Sequence, residues 1–212
     1  MIKILVVDDH QLVRAGLKRM LEEQKDFQIV GEASNGKDAL EAIDHLQPDV
    51  VLLDIAMPEM DGMETMSALV KQRSKPPKVV MLTMHDDEHY AARLLRMGAG
   101  GYVTKDTAPA ELVNAIRTVY AGNRFISSSL RDSMAIRFVE GGVRDPLEAC
   151  SNREFQVLRH LASGRTNREI AAELGVSVKT IDAHRLNLLA KLGIRNNAEL
   201  TRFAIQHGIV KS

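Results

Sequence analysis

Over the first 121 residues, short and continuously apolar runs alternate with longer stretches of helical periodicity. Runs at 3–7, 28–32, 49–54, 78–83 and 101–104 predict strands, and helical spacing falls near 10–23, 35–46, 61–72, 87–97 and 109–121. Val50-Val51-Leu52-Leu53 and Val79-Val80-Met81-Leu82 carry no polar alternation, the pattern of strands covered on both faces. Five strands, each followed by a helix, predict an α/β architecture with an open, doubly wound parallel sheet. In such sheets ligands sit beyond the carboxyl ends of the strands, at a topological switch point.

From residue 122 to about 148 the periodicity weakens. Ser127-Ser128-Ser129, Gly141-Gly142 and Asp145-Pro146 are turn and loop signals, although 130–139 could still form one helix. This stretch reads as a linker with a helical segment. The remainder, 149–212, is patterned as four helices. Ser151-Asn152-Arg153-Glu154 and Thr166-Asn167-Arg168-Glu169 each fit a capping box at a helix start. Gly164 and Gly175 close those two helices. Ser177 caps a third that ends at Gly193, and a fourth begins at Asn196 or Asn197 and runs to His207.

Composition narrows the class. The chain has 212 residues with a globular balance of apolar and charged types, and no apolar run reaches the about 20 residues that a membrane span requires. The amino terminus lacks the features of a signal peptide. Cys150 is the only cysteine, which excludes an intramolecular disulfide and a cysteine-rich metal site, so a cytoplasmic protein is expected. Net charge is zero, yet residues 149–212 carry 10 Lys and Arg against 5 Asp and Glu, and residues 1–148 carry 18 against 23. A small basic module behind an acidic one points to an anionic partner for the tail alone.

Candidate chemistry gathers at the predicted strand ends. Asp8 and Asp9 follow the first strand and Asp54 ends the third. If those strands are adjacent, the acids share one crevice and repel by several kcal/mol at low effective dielectric, so the crevice wants a cation. An oxygen-rich, partly hydrated pocket favours Mg²⁺ over zinc. Thr83 and Lys105, at the ends of the fourth and fifth strands, bring a hydroxyl and an ammonium suited to phosphoryl oxygens. Methionines 60, 63, 66, 81, 84 and 97 lack histidine partners at ligand spacing and read as core filler.

Asp8-Asp9, Asp54 with Met57-Pro58 and Gly62, Thr83, and Tyr102-Val103-Thr104-Lys105 resemble the receiver domain of two-component response regulators over residues 1–121. The resemblance implies a flavodoxin-like strand order 2-1-3-4-5 and assigns roles. Asp54 would accept a phosphoryl group from a sensor histidine kinase. Asp9, Asp54 and the Ala56 carbonyl would bind Mg²⁺ directly, with Asp8 holding a metal-bound water. Lys105 would pair with the phosphoryl oxygens and Thr83 would hydrogen-bond one of them. The inward pull on Thr83 would open space for the Tyr102 ring to swing into.

The tail has its own resemblance. Asn152-Arg153-Glu154, Gly164 through Ala171, and Val178-Lys179-Thr180-Ile181 through His184-Arg185 to Lys191-Leu192 are similar to the LuxR-type helix-turn-helix of the NarL/FixJ family, over 149–211. That likeness implies a third helix lying in the major groove of double-stranded DNA and a fourth that pairs two copies on paired half-sites. Asp182, Ala183 and Leu186 would face bases. Arg165, Asn167, Lys179 and Thr180 would mostly position the backbone, with His184 and Arg185 in the same two turns. Ile181, Leu188 and Leu192 would face the core, and Leu189 would lie with the outward set. Asp182 departs from the basic or neutral residue of many relatives, so base preference does not transfer.

Two other classes compete with this reading. An aspartyl-phosphate phosphohydrolase needs an acid two residues beyond its nucleophile; that position is Ala56, so the chain does not read as an enzyme. A module whose tail binds a protein such as RNA polymerase, without reading DNA, stays open at this point. RNA polymerase is in any case an expected partner of a transcription factor.

Overall fold

The computed structural model describes residues 1–84, 88–128, 130–131 and 146–210, and the chain divides into two compact units, Met1–Arg137 and Phe138–Ser212. In the first, β1 (Ile2–Val7), β2 (Phe27–Ala33), β3 (Val50–Asp54), β4 (Lys78–Thr83) and β5 (Gly101–Thr104) alternate with α1 (Gln11–Glu22), α2 (Gly36–Leu46), α3 (Gly62–Gln72), α4 (Glu88–Arg96) and α5 (Pro109–Tyr120). The strands pair in parallel in the order 2-1-3-4-5, as expected. Every residue of β3 is buried, which is why its run shows no alternation.

The sheet does not stop at five strands. A sixth, β6 (Phe125–Ile126), pairs in parallel with β5, so the start of the stretch expected to be a linker belongs to the sheet. Phe125 is buried in the same core cluster as Val80, Val103, Ile116 and Val119, and Gly100 offers its carbonyl to the Phe125 amide at 3.0 Å. Apolar burial of that ring outweighs the loop-like residues around it. The helix expected over 130–139 lies outside the described residues beyond Arg131, as do Gly141-Gly142 and Asp145.

Local chemistry fixes the loop that carries the third strand into its helix. Asp61 caps α3 in a capping box with Glu64: its side chain accepts from the Glu64 amide at 2.8 Å while Glu64 accepts from the Asp61 amide at 3.2 Å. Gly62 packs so tightly under β3 that a Cβ there would sit 2.2 Å from the Asp54 carbonyl oxygen and 2.9 Å from Ile55 Cα. Only glycine permits this approach, which sets the backbone of Asp54. Methionines 63, 66 and 81 are buried core, as expected, but Met84 is 71% exposed just past β4.

In the second unit the first described element is a 3₁₀ turn, Pro146–Ala149, followed by α6 (Asn152–Ala162), α7 (Asn167–Glu173), α8 (Val178–Leu192) and α9 (Asn197–Gln206). Capping boxes open α6 and α7, and Ser177 and Asn196 cap α8 and α9, each worth about 1 kcal/mol. Gly193 ends α8 in the left-handed region. Phe155, Leu158, Ile170, Ile181, Leu188 and Leu200 form the buried interior. Leu189, expected on the outward side of α8, is also buried. Cys150 is a buried free thiol.

Gly62→Ala should destabilise the receiver unit by roughly 1 to 3 kcal/mol through forced overpacking. Urea denaturation of the variant beside the wild type measures this; an unchanged midpoint would show that the loop yields freely.

Candidate phosphoacceptor site and nucleic-acid interface

Adjacency of β1 and β3 brings their carboxyl ends together, and the β3–β4–β5 ladder carries Thr83 and Lys105 to the same rim. The Lys105 amide donates to the Thr83 carbonyl at 2.7 Å, so the fifth strand's lysine is held beside the fourth strand's threonine. The Lys105 ammonium lies 2.6 Å from Asp54 Oδ2 and 2.6 Å from Asp8 Oδ2. The contact with Asp54 has hydrogen-bond alignment, and that with Asp8 is an ion pair without it. Asp8, Asp54 and Thr83 are all buried, and Asp9 sits at the rim with its side chain 28% exposed.

One lysine does not balance three acids. Burial pushes Asp54 up to about 6, against the hydrogen bond and charge of Lys105, with Asp8 adding repulsion. Lys105 is raised above the ordinary lysine value: burial works to lower it, but the close contacts and charges of Asp54 and Asp8 together prevail. Two buried carboxylate oxygens are met only by ion-pair contacts, Asp8 Oδ2 by Lys105 and Asp9 Oδ1 by His10. Oxygens of Asp8, Asp9 and Asp54 and a ring nitrogen of His10 lie within 4.8 Å of one another. A mainly oxygen donor set with more negative than positive charge fits a hard divalent cation such as Mg²⁺.

His10 is the member that the sequence reading missed. It sits at the start of α1, its Nδ1 2.7 Å from Asp9 Oδ1 and its backbone amide donating to Asp8 Oδ1 at 2.9 Å. Arg14, one turn on, donates to the Asp8 carbonyl at 2.5 Å. The only signal for either was proximity to the acidic pair. Ala56 is exposed beyond β3 and its amide approaches Asp54 Oδ1 at 3.3 Å. Tyr102 is completely buried within the sheet, paired in register with Met81. A cleft at the opposite, amino end of β3 and β4, lined by Asp49, Arg73, Lys78 and Tyr120 among others, gathers none of these groups.

On the second unit, Lys179, Ala183 and Leu186 are exposed along α8, with Thr180, Asp182, His184 and Arg185 half-buried. Leu186 is 62% exposed and Val178 42%, apolar surface on an otherwise polar helix face. Several groups expected to meet DNA are engaged within the unit. Asn167 Nδ2 donates to Asp182 Oδ1 at 2.5 Å, Arg185 Nε donates to Asn197 Oδ1 at 2.7 Å, and Arg165 pairs with Glu173. Behind them Lys191 meets Glu154 at 2.6 Å; burial opposes ionisation of Glu154, but Lys191 and the Ser151 cap hold it below the usual carboxylate range.

Comparison with known proteins agrees with both halves. Residues 4–117 match the response regulator receiver domain, and residues 148–204 match the bacterial regulatory proteins of the luxR family. Response regulator UvrY of Escherichia coli (strain K12) is 40% identical over 210 residues, 99% of this chain and 96% of that protein. Response regulator GacA of Pseudomonas aeruginosa is 40% identical over 212 residues, 99% of this chain and 98% of that protein. A structure of RcsB from Salmonella enterica serovar Typhimurium, bound to promoter P1flhDC in the presence of the phosphomimetic BeF3-, is 26% identical with a TM-score of 0.62, covering 95% of this chain and 97% of that one. The chain belongs to the two-component response regulators with a LuxR-type DNA-binding domain, and it regulates transcription.

A carboxyl group whose value lies above its unfolded one, about 4, binds its proton more readily in the native state. Through Asp54, stability is therefore lost as pH rises through 6 and regained as pH falls toward 4. In metal-free buffer, Asp54→Asn should raise stability at pH 7 by roughly 2 kcal/mol, with the gain vanishing near pH 4.5. Millimolar Mg²⁺ should reverse the order by stabilising the wild type. Thermal melts at the two pH values, with and without Mg²⁺, test the sign.

Proposed function

We propose that Asp54 accepts a phosphoryl group from a sensor histidine kinase in a Mg²⁺-dependent reaction, and that this switches dimerisation and binding to paired half-sites on double-stranded DNA. The observation that carries the reading is the convergence of Asp8, Asp9 and Asp54 in one cluster, with Lys105 touching Asp8 and Asp54 and no second ammonium on the three acids among the described residues. Asp9, Asp54 and the Ala56 carbonyl would hold the ion, with Asp8 on a bound water. The ion would supply positive charge against the developing phosphoryl oxygens.

The chain's own residues do the rest. An Asp54 oxygen bonds to phosphorus as the phosphorus–nitrogen bond of phosphohistidine breaks, and the departing imidazole keeps the electron pair. Lys105 exchanges its contact with Asp54 for one with a phosphoryl oxygen, and the Thr83 hydroxyl donates to another. Phosphorylation adds roughly −1.5 to −2 charges. Tyr102, already inside the sheet, locks the inward arrangement when Thr83 is drawn toward the phosphoryl group. Differential stabilisation of about 5.5 kcal/mol carries a two-state element from mostly off to mostly on; new charge-assisted bonds and pairing of two copies share it.

The division into receiver (1–121), connecting stretch (122–148) and DNA-binding module (149–212) is retained with two adjustments. Phe125–Ile126 works as part of the receiver sheet, and the turn at Pro146–Ala149, which lies against α8, belongs with the module. In that module α8 lies in the major groove. Lys179, Thr180, Arg165 and Asn167 meet the backbone, Asp182, Ala183 and Leu186 face bases, and His184 and Arg185 flank them; α9 pairs two copies. Dimers on DNA are seen for RcsB, which supports the same arrangement here. The protein acts in the cytoplasm with RNA polymerase downstream; among the described residues no helix is long and apolar enough to cross a membrane.

Incubation with acetyl phosphate and Mg²⁺ should add one acid-labile phosphoryl group per chain, and Asp54→Ala should abolish it. Full labelling of that variant, read by intact-protein mass spectrometry, would overturn the site. Lys179→Ala should weaken binding to every DNA sequence and flatten the slope of log K against log salt by about one unit. A loss confined to some sequences would move Lys179 from the backbone to a base.

A further inference from the structure

We infer that the Asn167–Asp182 pair is a sequence filter: Asn167 orients the Asp182 carboxylate so that it accepts from the exocyclic amino group of a cytosine in each half-site. The inference deepens the DNA-binding reading and rests on it. Asp182 lies in the second turn of α8, between the exposed Lys179 and Leu186. Its Oδ1 accepts from Asn167 Nδ2 at 2.5 Å, and the described residues supply no donor to Oδ2. Asn167 is the first residue of α7, and its position is fixed by the Thr166–Glu169 capping box, in which the Thr166 amide donates to Glu169 at 2.8 Å. The carboxylate is thus held from a second helix rather than sampling rotamers on its own.

A carboxylate is a costly group to bring to DNA, because it repels phosphate and carries only acceptors. It becomes favourable only opposite a donor. In the major groove guanine shows two acceptors and thymine one acceptor with a methyl group. Adenine places its N7 acceptor beside the N6 donor, and cytosine shows N4–H alone. With Oδ1 engaged by Asn167, Oδ2 is left fully available, and a group that only accepts suits cytosine, which shows a donor with no acceptor beside it. Asn167 is a positioning residue here. Its amide also withdraws part of the negative charge that would otherwise face the phosphates.

Binding-site selection from a randomised duplex library, with the full-length protein treated with acetyl phosphate, tests this. The wild type should enrich cytosine at one position of each half-site by roughly tenfold over the other bases. Asp182→Ala should erase the preference at that position alone and tighten binding to random DNA. Asp182→Asn, which presents a donor and an acceptor, should shift the preference to adenine. Asn167→Ala should weaken the cytosine preference while leaving the other selected positions intact, a readout that a purely structural role would not produce.

An unchanged selected site in Asp182→Ala, or guanine or thymine enriched at that position by the wild type, would refute the filter while leaving DNA binding intact. Failure of the wild type to enrich any sequence would instead sink the DNA-binding reading and this inference with it. The far-ultraviolet circular dichroism of each variant guards against misfolding, and Asp182→Asn, nearly isosteric, carries the test if Asp182→Ala is unfolded.

Discussion

Crowding of negative charge at one end of a parallel sheet is the constraint around which the first unit is built. Asp8 and Asp54 are buried side by side because β1 and β3 are neighbours, and the Lys105 ammonium stands between them. Burial of the acids would be prohibitive without that ammonium, and it remains incomplete with it, as the elevated Asp54 shows. The surrounding architecture keeps the deficit in place: Gly62 lets α3 close under β3, and the β4–β5 register sets where the lysine emerges. An under-compensated cluster of this kind responds strongly to any charge added to it, which is the property a chemical switch needs.

Much of this was legible in the sequence for a physical reason. Strands covered on both faces must be apolar without interruption, so β1, β3 and β4 announced themselves, and their order along the chain placed Asp8, Asp9, Asp54, Thr83 and Lys105 at one end. The short sixth strand was not legible. Two residues have no periodicity, and Phe125-Ile126 lies between Gly122-Asn123-Arg124 and a run of serines. Its pairing follows from the burial of Phe125, which is a tertiary effect. His10 and Arg14 escaped for a similar reason: their roles depend on how α1 leaves β1, and a histidine after two aspartates has no distinguishing spacing.

In the second unit the helix boundaries were legible because side-chain caps are local chemistry. What the pattern could not supply was the wiring between helices. Asn167 with Asp182 and Arg185 with Asn197 join residues 15 and 12 positions apart, and such meetings depend on crossing angles rather than on period. The same limit explains Leu189, which helical spacing grouped with the outward residues but which the packing of α8 against α6 turns inward.

The link between Arg185 and Asn197 has a geometric corollary. It ties the middle of α8 to the first residue of α9, where the Asn196 cap makes the backbone stiff. Were two copies to pair through α9 as proposed, such a brace would deny each reading head an independent swivel. The spacing between half-sites would then become a matter of helical phase: one inserted base pair rotates the second half-site by about 35°, a twist that a rigid pair has no slack to follow.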